Sequence, residues 1–191
     1  MTQIQIDTKM KMARRLIGIL LIIVPLSLWA QKAEPLNPAS GKLIAAAREM
    51  MASARYCALV TVDDKGNPQA RTMDPFLPDS NMIVWLGSNS KSRKVKELRG
   101  NSNVTLYYPA NGASGYVVIK GKAYLMDDAA NIAKYWKPEW AAFYTVKKIN
   151  YILIKVIPDR LEIVDYKHKI TGDSKTWAAP HVVFSYYSVV V

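Results

Sequence analysis

Apolar and polar positions along this 191-residue chain fall first into a helical rhythm and then, for most of its length, into an alternating one. "GKLIAAAREMMASA" (41–54) sets Leu43, Ala46, Ala47, Met50 and Met51 at helical spacing, with Ser40 as the expected N-cap. "RYCALVTVDD" (55–64) then predicts a strand and "DDKGNP" (63–68) a hairpin turn in which Gly66 supplies the permissive backbone. "QARTMDPF" (69–76) is the returning strand. A third strand follows over "NMIVWLG" (81–87), a short helix over "SRKVKELRG" (92–100) and a fourth strand over "NVTLYYP" (103–109). "GYVVIKGKAYLMDD" (115–128) is a long strand whose internal Gly121 marks a bulge or bend. Asp127 or Asp128 caps a helix over "AANIAKYWKPEW" (129–140), interrupted by Pro138. "YILIKVIPDRLEIVDY" (151–166) predicts two strands around Pro158 and Asp159, and "HVVFSYY" (181–187) a last one.

Seven or eight strands with three short helices, in no regular βαβ order, predict an α+β fold built as a mainly antiparallel barrel. No Gly-rich strand-to-helix fingerprint, P-loop or G-x-S-x-G elbow is present, which argues against a Rossmann domain and a serine hydrolase. Half of the residues are hydrophobic and 21% are charged, the balance of a globular protein.

The first 30 residues follow a different pattern. Lys9, Lys11, Arg14 and Arg15 precede "LIGILLIIVPLSL" (16–28), and Ala30 offers a cleavage point before Gln31. That is the layout of a secretory signal peptide, with an apolar run of 13 residues that is short for a membrane span. Leu28 stands where a small residue is preferred, so an uncleaved amino-terminal anchor is the alternative. "ARRLIG" (13–18) partly matches a twin-arginine export signal. Residues 31–40 read as a polar, proline-bearing linker and 41–191 as one domain, exported to the periplasm or beyond and with no stable membrane insertion after cleavage.

The formal charge is +11, and setting aside residues 1–30, with four basic groups and one acidic, leaves +8. The basic residues are scattered, which fits a small-anion binder better than a nucleic-acid or lipid-surface binder. Their densest cluster is "NSKSRKVKEL" (89–98). There a strand end brings serine hydroxyls and cations to a helix N-terminus, an arrangement suited to phosphate. Arg71 is the second cation such a clamp would use, whereas Lys96 and Glu97 read as a solvated helix face.

Side chains for direct catalysis are few. His168 reads as solvated, His181 as structural, and neither has a partner at zinc-ligand spacing. Cys57, the only cysteine, lies in an apolar strand and reads as a buried, inert thiol. Any redox chemistry would therefore be carried by a bound cofactor.

Three stretches in order, "ALVTVDDKGNPQARTM", "MIVWLGSNSKSRKVKELRGNSNVTLYY" and "YVVIKGKAYLMDD", resemble the pyridoxamine 5'-phosphate oxidase-like FMN-binding split barrels. The short general-stress-protein branch is the most similar, over roughly residues 41–184. The resemblance implies a split β-barrel homodimer that binds FMN at the subunit interface. It also implies hydride or electron transfer through the flavin to a small-molecule donor or acceptor. By it, Arg71 and Lys94 contact the flavin phosphate with Ser92 and Arg93 beside them. Thr72, Met73, Trp85, Leu86, Gly87 and Ser88 would line the ring and ribityl chain, although the family commonly has a threonine at about Gly87. The tail "TWAAPHVVF" (176–184) makes Trp177 either a contact to the flavin of a second subunit or an aromatic core anchor.

Two departures narrow the expectation. No R-x-H motif follows Phe184, so synthesis of pyridoxal phosphate is not expected, and residues 143–155 lack the Gly-Gly-type loop of the stress-protein branch. Three functional readings remain: an FMN-dependent oxidoreductase, a non-catalytic flavin, haem or deazaflavin binder for stress or sensing, and a basic surface-binding protein.

Overall fold

Two edge strands that meet at one end only define the architecture. The structure is a computed structural model and describes residues 38–144 and 150–185. The expected signal peptide, most of the expected linker and the last positions of the final predicted strand lie outside the described residues.

The strands are β1 (Cys57–Val62), β2 (Pro68–Met73), β3 (Val84–Asn89), β4 (Asn103–Pro109), β5 (Gly115–Met126), β6 (Tyr151–Asp165) and β7 (His181–Val183). The helices are α1 (Pro38–Ala54), α2 (Arg93–Gly100) and α3 (Ala129–Lys134), with short 3-10 turns at Asn111–Ala113 and Pro138–Ala142. All strands join one seven-stranded sheet in the order β2-β1-β4-β5-β6-β3, with β7 added to β6. Every ladder is antiparallel. The edges β2 and β3 are linked just beyond β2 by an isolated bridge between Pro75 and Leu86, where Phe76 N–H donates to Trp85 O at 2.9 Å. The result is the split antiparallel barrel, with few helices, that the sequence predicts.

Strand alternation places the core. Cys57, Leu59 and Thr61 of β1, Val104, Leu106 and Tyr108 of β4, and Val117 and Ile119 of β5 all point inward. Val84 and Leu86 of β3 and Ile154, Val156, Leu161 and Ile163 of β6 complete that interior, and Ala46, Ala47, Met50 and Met51 of α1 close one end. A second cluster, around Trp85, Trp140, Tyr151 and Leu153, covers the other face of β3 and the start of β6.

Three local predictions are corrected. Helix α1 begins at Pro38, so Ser40 lies inside it and is not its N-cap; proline is well suited to a first turn because its missing N–H has no intrahelical partner there. Residues 151–165 form one strand where two were expected over 151–166. The register steps from Lys120↔Arg160 to Gly121↔Pro158, leaving Asp159 unpaired across the ladder, so Pro158 is absorbed in a bulge without ending the strand. The predicted helix over 129–140 ends at Lys134 and resumes as a 3-10 turn at Pro138, with Asp128 accepting from Asn131 N–H at 2.9 Å as its cap.

The bulge also explains Gly121. A Cβ there would lie 2.1 Å from the Ile157 carbonyl oxygen, whereas one on Gly41 in α1 would meet nothing within 4 Å. Gly121→Ala is therefore expected to lower the urea midpoint by the equivalent of about 1–3 kcal/mol. Gly41→Ala should raise it by roughly 0.5–1 kcal/mol.

Candidate anion site at the split between the edge strands

Helix α2 lies across the split and is bonded to both sides of it. On β2, alternation turns Arg71 inward beside Met73 and leaves Thr72 exposed on the outer face. Arg71 Nη1 donates to Thr61 Oγ1 at 2.5 Å, and Nη2 donates to Glu97 Oε2 at 2.8 Å. The Thr61 hydroxyl donates to that same Glu97 oxygen at 2.5 Å. The other Glu97 oxygen, Oε1, has Arg93 Nε 3.2 Å away and no hydrogen-bond partner among the described residues. On the β3 side, Lys94 Nζ donates to Ser88 Oγ at 3.1 Å, and the Ser88 and Ser92 hydroxyls share a hydrogen bond of 3.0 Å. Ser92 is the N-cap residue of α2, yet its hydroxyl makes no cap bond. The hydroxyl is turned to Ser88 instead.

The electrostatics are those of a cation cluster with one internal counter-charge. Burial alone would raise the Glu97 carboxyl, but the hydrogen bonds from Thr61 and Arg71 and the charges of Arg71 and Arg93 hold it below the ordinary value. Burial pushes the Lys94 ammonium down and the Arg71 charge pushes the same way, with Glu97 opposing in part. Arg71, Arg93 and Lys94 thus face one carboxylate, which leaves a net positive charge at the mouth of the split. Arg93 and Glu97 also line an open groove of about 690 Å³ beneath the β1–β2 turn, beside Asp63, Asn67 and Gln69.

Of the residues picked out in the sequence, Arg71, Ser88, Ser92, Arg93 and Lys94 come together here. Met73 and Leu86 are buried in the core, so only their backbones can face a ligand. Trp85 and Gly87 point to the opposite face of β3. Trp85 stacks on Tyr135 with ring centroids 4.3 Å apart, and a Cβ on Gly87 would fall 2.5 Å from Trp140 and 2.8 Å from Tyr151. A threonine does not fit at Gly87 because that space is filled by aromatic rings. Trp177 lies apart from the cluster, 85% exposed and with a left-handed φ of 59°, so it is not a core anchor.

Two side chains were misjudged. Lys96 is exposed as expected, but Glu97 is buried at 8% and sits at the centre of the network. Thr61 was not singled out at all, although its inward parity with Cys57 and Leu59 on β1 marks it as a polar residue in a core position. Elsewhere, His168 is not simply solvated: Nδ1 lies 2.6 Å from Asp165 Oδ2 and Nε2 lies 3.3 Å from Glu49 Oε2. Cys57 is inert as expected, its thiol pushed up to about 12 by burial.

The family model described as "Pyridoxamine 5'-phosphate oxidase like" matches residues 43–172. The pyridoxine/pyridoxamine 5'-phosphate oxidase of Pseudoalteromonas translucida (strain TAC 125) is 33% identical over 78 residues, 41% of this chain but only 36% of that protein. A Clostridium acetobutylicum protein related to general stress protein 26 superposes with a TM-score of 0.62 at 16% identity, over 74% of this chain and 94% of its own. A pyridoxamine 5'-phosphate oxidase-related, FMN binding protein from Nostoc punctiforme PCC 73102 gives 0.57 at 15% identity, over 78% and 98%. General Stress Protein 26 from Bacillus anthracis gives 0.53 at 21%, over 61% and 92%. At these identities the likeness to solved structures establishes the fold alone.

The lowered Glu97 carboxyl carries a signed pH dependence. Its ion pairs contribute stability that is fully present above the unfolded glutamate value of about 4.3 and is lost as pH falls through the lower folded value. The stability gap between the wild type and Glu97→Gln, from urea unfolding, is expected to be constant from pH ~7 to ~5 and to shrink below about 4.3. A gap unchanged down to pH ~3 would show that folding does not lower the Glu97 carboxyl.

Proposed function

The chain belongs to the pyridoxamine 5'-phosphate oxidase like family, and on that premise we propose that it is a homodimeric FMN-binding oxidoreductase whose split holds the flavin phosphate. The observation that carries this reading is the convergence of Arg71 from β2, Ser88 from β3, and Ser92 and Lys94 from the start of α2. A phosphate dianion fits this donor set on three counts. The site has more positive charge than Glu97 neutralises, the Lys94 ammonium has among the described residues only a serine hydroxyl as hydrogen-bond partner, and the α2 N-terminus favours negative charge. FMN, when bound, supplies the hydride and electron chemistry.

The chain's own residues then bind, orient and shield. Arg71 and Lys94 would hold the phosphate, with Ser88, Ser92 and Arg93 completing its surroundings. The edges of β2 at Thr72 and Met73 and of β3 at Gly87 and Ser88, beyond the Pro75–Leu86 bridge, would offer backbone N–H and C=O groups to the remainder of the flavin. The outer face supports self-association: Thr72, Ala58, Tyr107 and Val118 lie in one uncharged row across β2, β1, β4 and β5. Tyr107 is 40% exposed and stacks on Tyr116. The exposed Trp177 is available to a second subunit. The physiological substrate of this reading is a small-molecule electron donor or acceptor.

A second reading, flavin binding for storage or sensing without turnover, is favoured by one feature. The only carboxylate in the hydrogen-bonded cluster at the split, Glu97, is buried and engaged by Arg71 and Thr61, so the cluster offers no free carboxylate as acid or base.

The purified full chain is expected to bind FMN, with Arg71→Ala and Lys94→Ala together weakening binding roughly a hundredfold or more, since each removes a charge-assisted bond. Full FMN affinity in that double variant would overturn the clamp. Lys94 adds a pH signature, because its lowered value in the free protein is drawn back up by a phosphate. Affinity should therefore fall as pH rises through the free-protein value, and Lys94→Arg should move that fall to higher pH. Anaerobic addition of NADH or NADPH separates the two readings: bleaching of the bound flavin supports the oxidoreductase, and no bleaching by any donor leaves the binder.

A further inference from the structure

A site meant only to attract an anion would not contain Glu97. Its carboxylate cancels part of the positive charge that draws a phosphate, and a buried acid is expensive to hold where Val95 and Leu98 beside it on α2 are packed apolar side chains. Its presence calls for another explanation.

The hydrogen bonds supply one. Arg71 Nη1, Thr61 Oγ1, Glu97 Oε2 and Arg71 Nη2 form a closed ring with bonds of 2.5, 2.5 and 2.8 Å. Arginine has no acceptor and an ionised carboxylate has no donor. The Thr61 hydroxyl must therefore accept from Arg71 and give its single proton to Glu97. No second pattern satisfies all three groups, so the ring has one arrangement and fixes the plane of the guanidinium. Thr61 is fully buried and Glu97 nearly so, which anchors the ring to the core rather than to solvent-exposed side chains. An unrestrained arginine on an edge strand would lose about 2 kcal/mol of rotamer entropy on meeting a ligand. Here much of that ordering precedes binding. The inner side of the guanidinium is committed to Thr61, Glu97 and, at 3.4 Å, the Leu59 carbonyl, and its other N–H groups remain for a ligand.

We propose that Thr61 and Glu97 are positioning residues for Arg71, and that by holding its guanidinium they set the preference for a phosphorylated flavin over the unphosphorylated one. This rests on the reading of the split as a flavin phosphate site. Thr61→Val keeps the side-chain shape but breaks the ring, and Thr61→Ser restores it.

The test measures FMN and riboflavin affinities of the full chain for both variants, and repeats Thr61→Val in an Arg71→Ala background. Thr61→Val is expected to weaken FMN about tenfold, the worth of one charge-linked hydrogen bond, and riboflavin less than about twofold. Thr61→Ser should match the wild type for both ligands, and with Arg71 already removed Thr61→Val should change neither affinity. Equal losses of the two ligands, or a further loss of FMN in the Arg71→Ala background, would overturn the proposal. Should Thr61→Val not fold, Thr61→Ala, which also lacks the hydroxyl, takes its place with the same expected pattern. A wild type that binds neither flavin defeats the functional reading, and the ring is then judged by the nitrogen-15 signals of the Arg71 side chain. Separate, slowly exchanging Nη signals in the wild type and in Thr61→Ser, merged in Thr61→Val, sustain it; merged signals in the wild type overturn it.

Discussion

A sheet with two free edges that meet at a single bridge needs something to hold the open end, and α2 does so with charge and hydroxyl contacts. Glu97 ties the helix to β1 and β2 through Thr61 and Arg71, while Lys94 and Ser92 tie it to β3 through Ser88. Val95 and Leu98 add the apolar contact beneath. On the proposed reading, the groups that close the split are also the groups that face an incoming anion, so fold stability and ligand recognition draw on the same side chains and a substitution there reads out in both.

Backbone alternation explains why the expected ligand-lining residues divide as they do. Trp85 and Gly87 share a face of β3 with each other and not with Ser88. That face is filled by Trp140, Tyr135 and Tyr151, which reach it from the segment after β5 and from the start of β6. At Gly87, where the family resemblance leads one to expect a threonine, the space is taken by ring packing, and the glycine is what those rings require. Lys137, paired with Asp74 at 2.6 Å and lying over Phe76 and Trp140, pins the same segment to the end of β2. One edge of the split is thereby held from outside as well as from within.

Most of the sheet was legible in the sequence because its strands are half-buried and alternate cleanly, as β1 and β4 do. Gly66 and Gly121 marked a turn and a bulge for reasons of backbone geometry alone. The β6 strand was misread because Pro158 normally ends a strand, and only the partner strand shows that a bulge can hold it. The cations of the site were visible as a local cluster, but their counter-charge was not. A glutamate among lysines on a short helix reads as solvent-facing, and its burial depends on Arg71 and Thr61, 26 and 36 residues away along the chain. The fate of Trp177 was equally invisible, since exposure of a large ring is set by the path of the surrounding loop.

The topology also fixes the order in which the site can come into being. Strands β2 and β3 are neighbours in sequence yet occupy opposite edges of the sheet, and among the described residues β3 finds its only ladder partner in β6, with Trp85 opposite Lys155. Contacts of such wide sequence separation form slowly, because the intervening chain must be closed before they are rewarded. The hairpin of β1 and β2 can assemble as soon as it is made, but the mouth of the split has no far wall until β6 is laid down. A nascent or truncated chain that lacks β6 would carry the cations of the proposed clamp without the cleft they are proposed to serve.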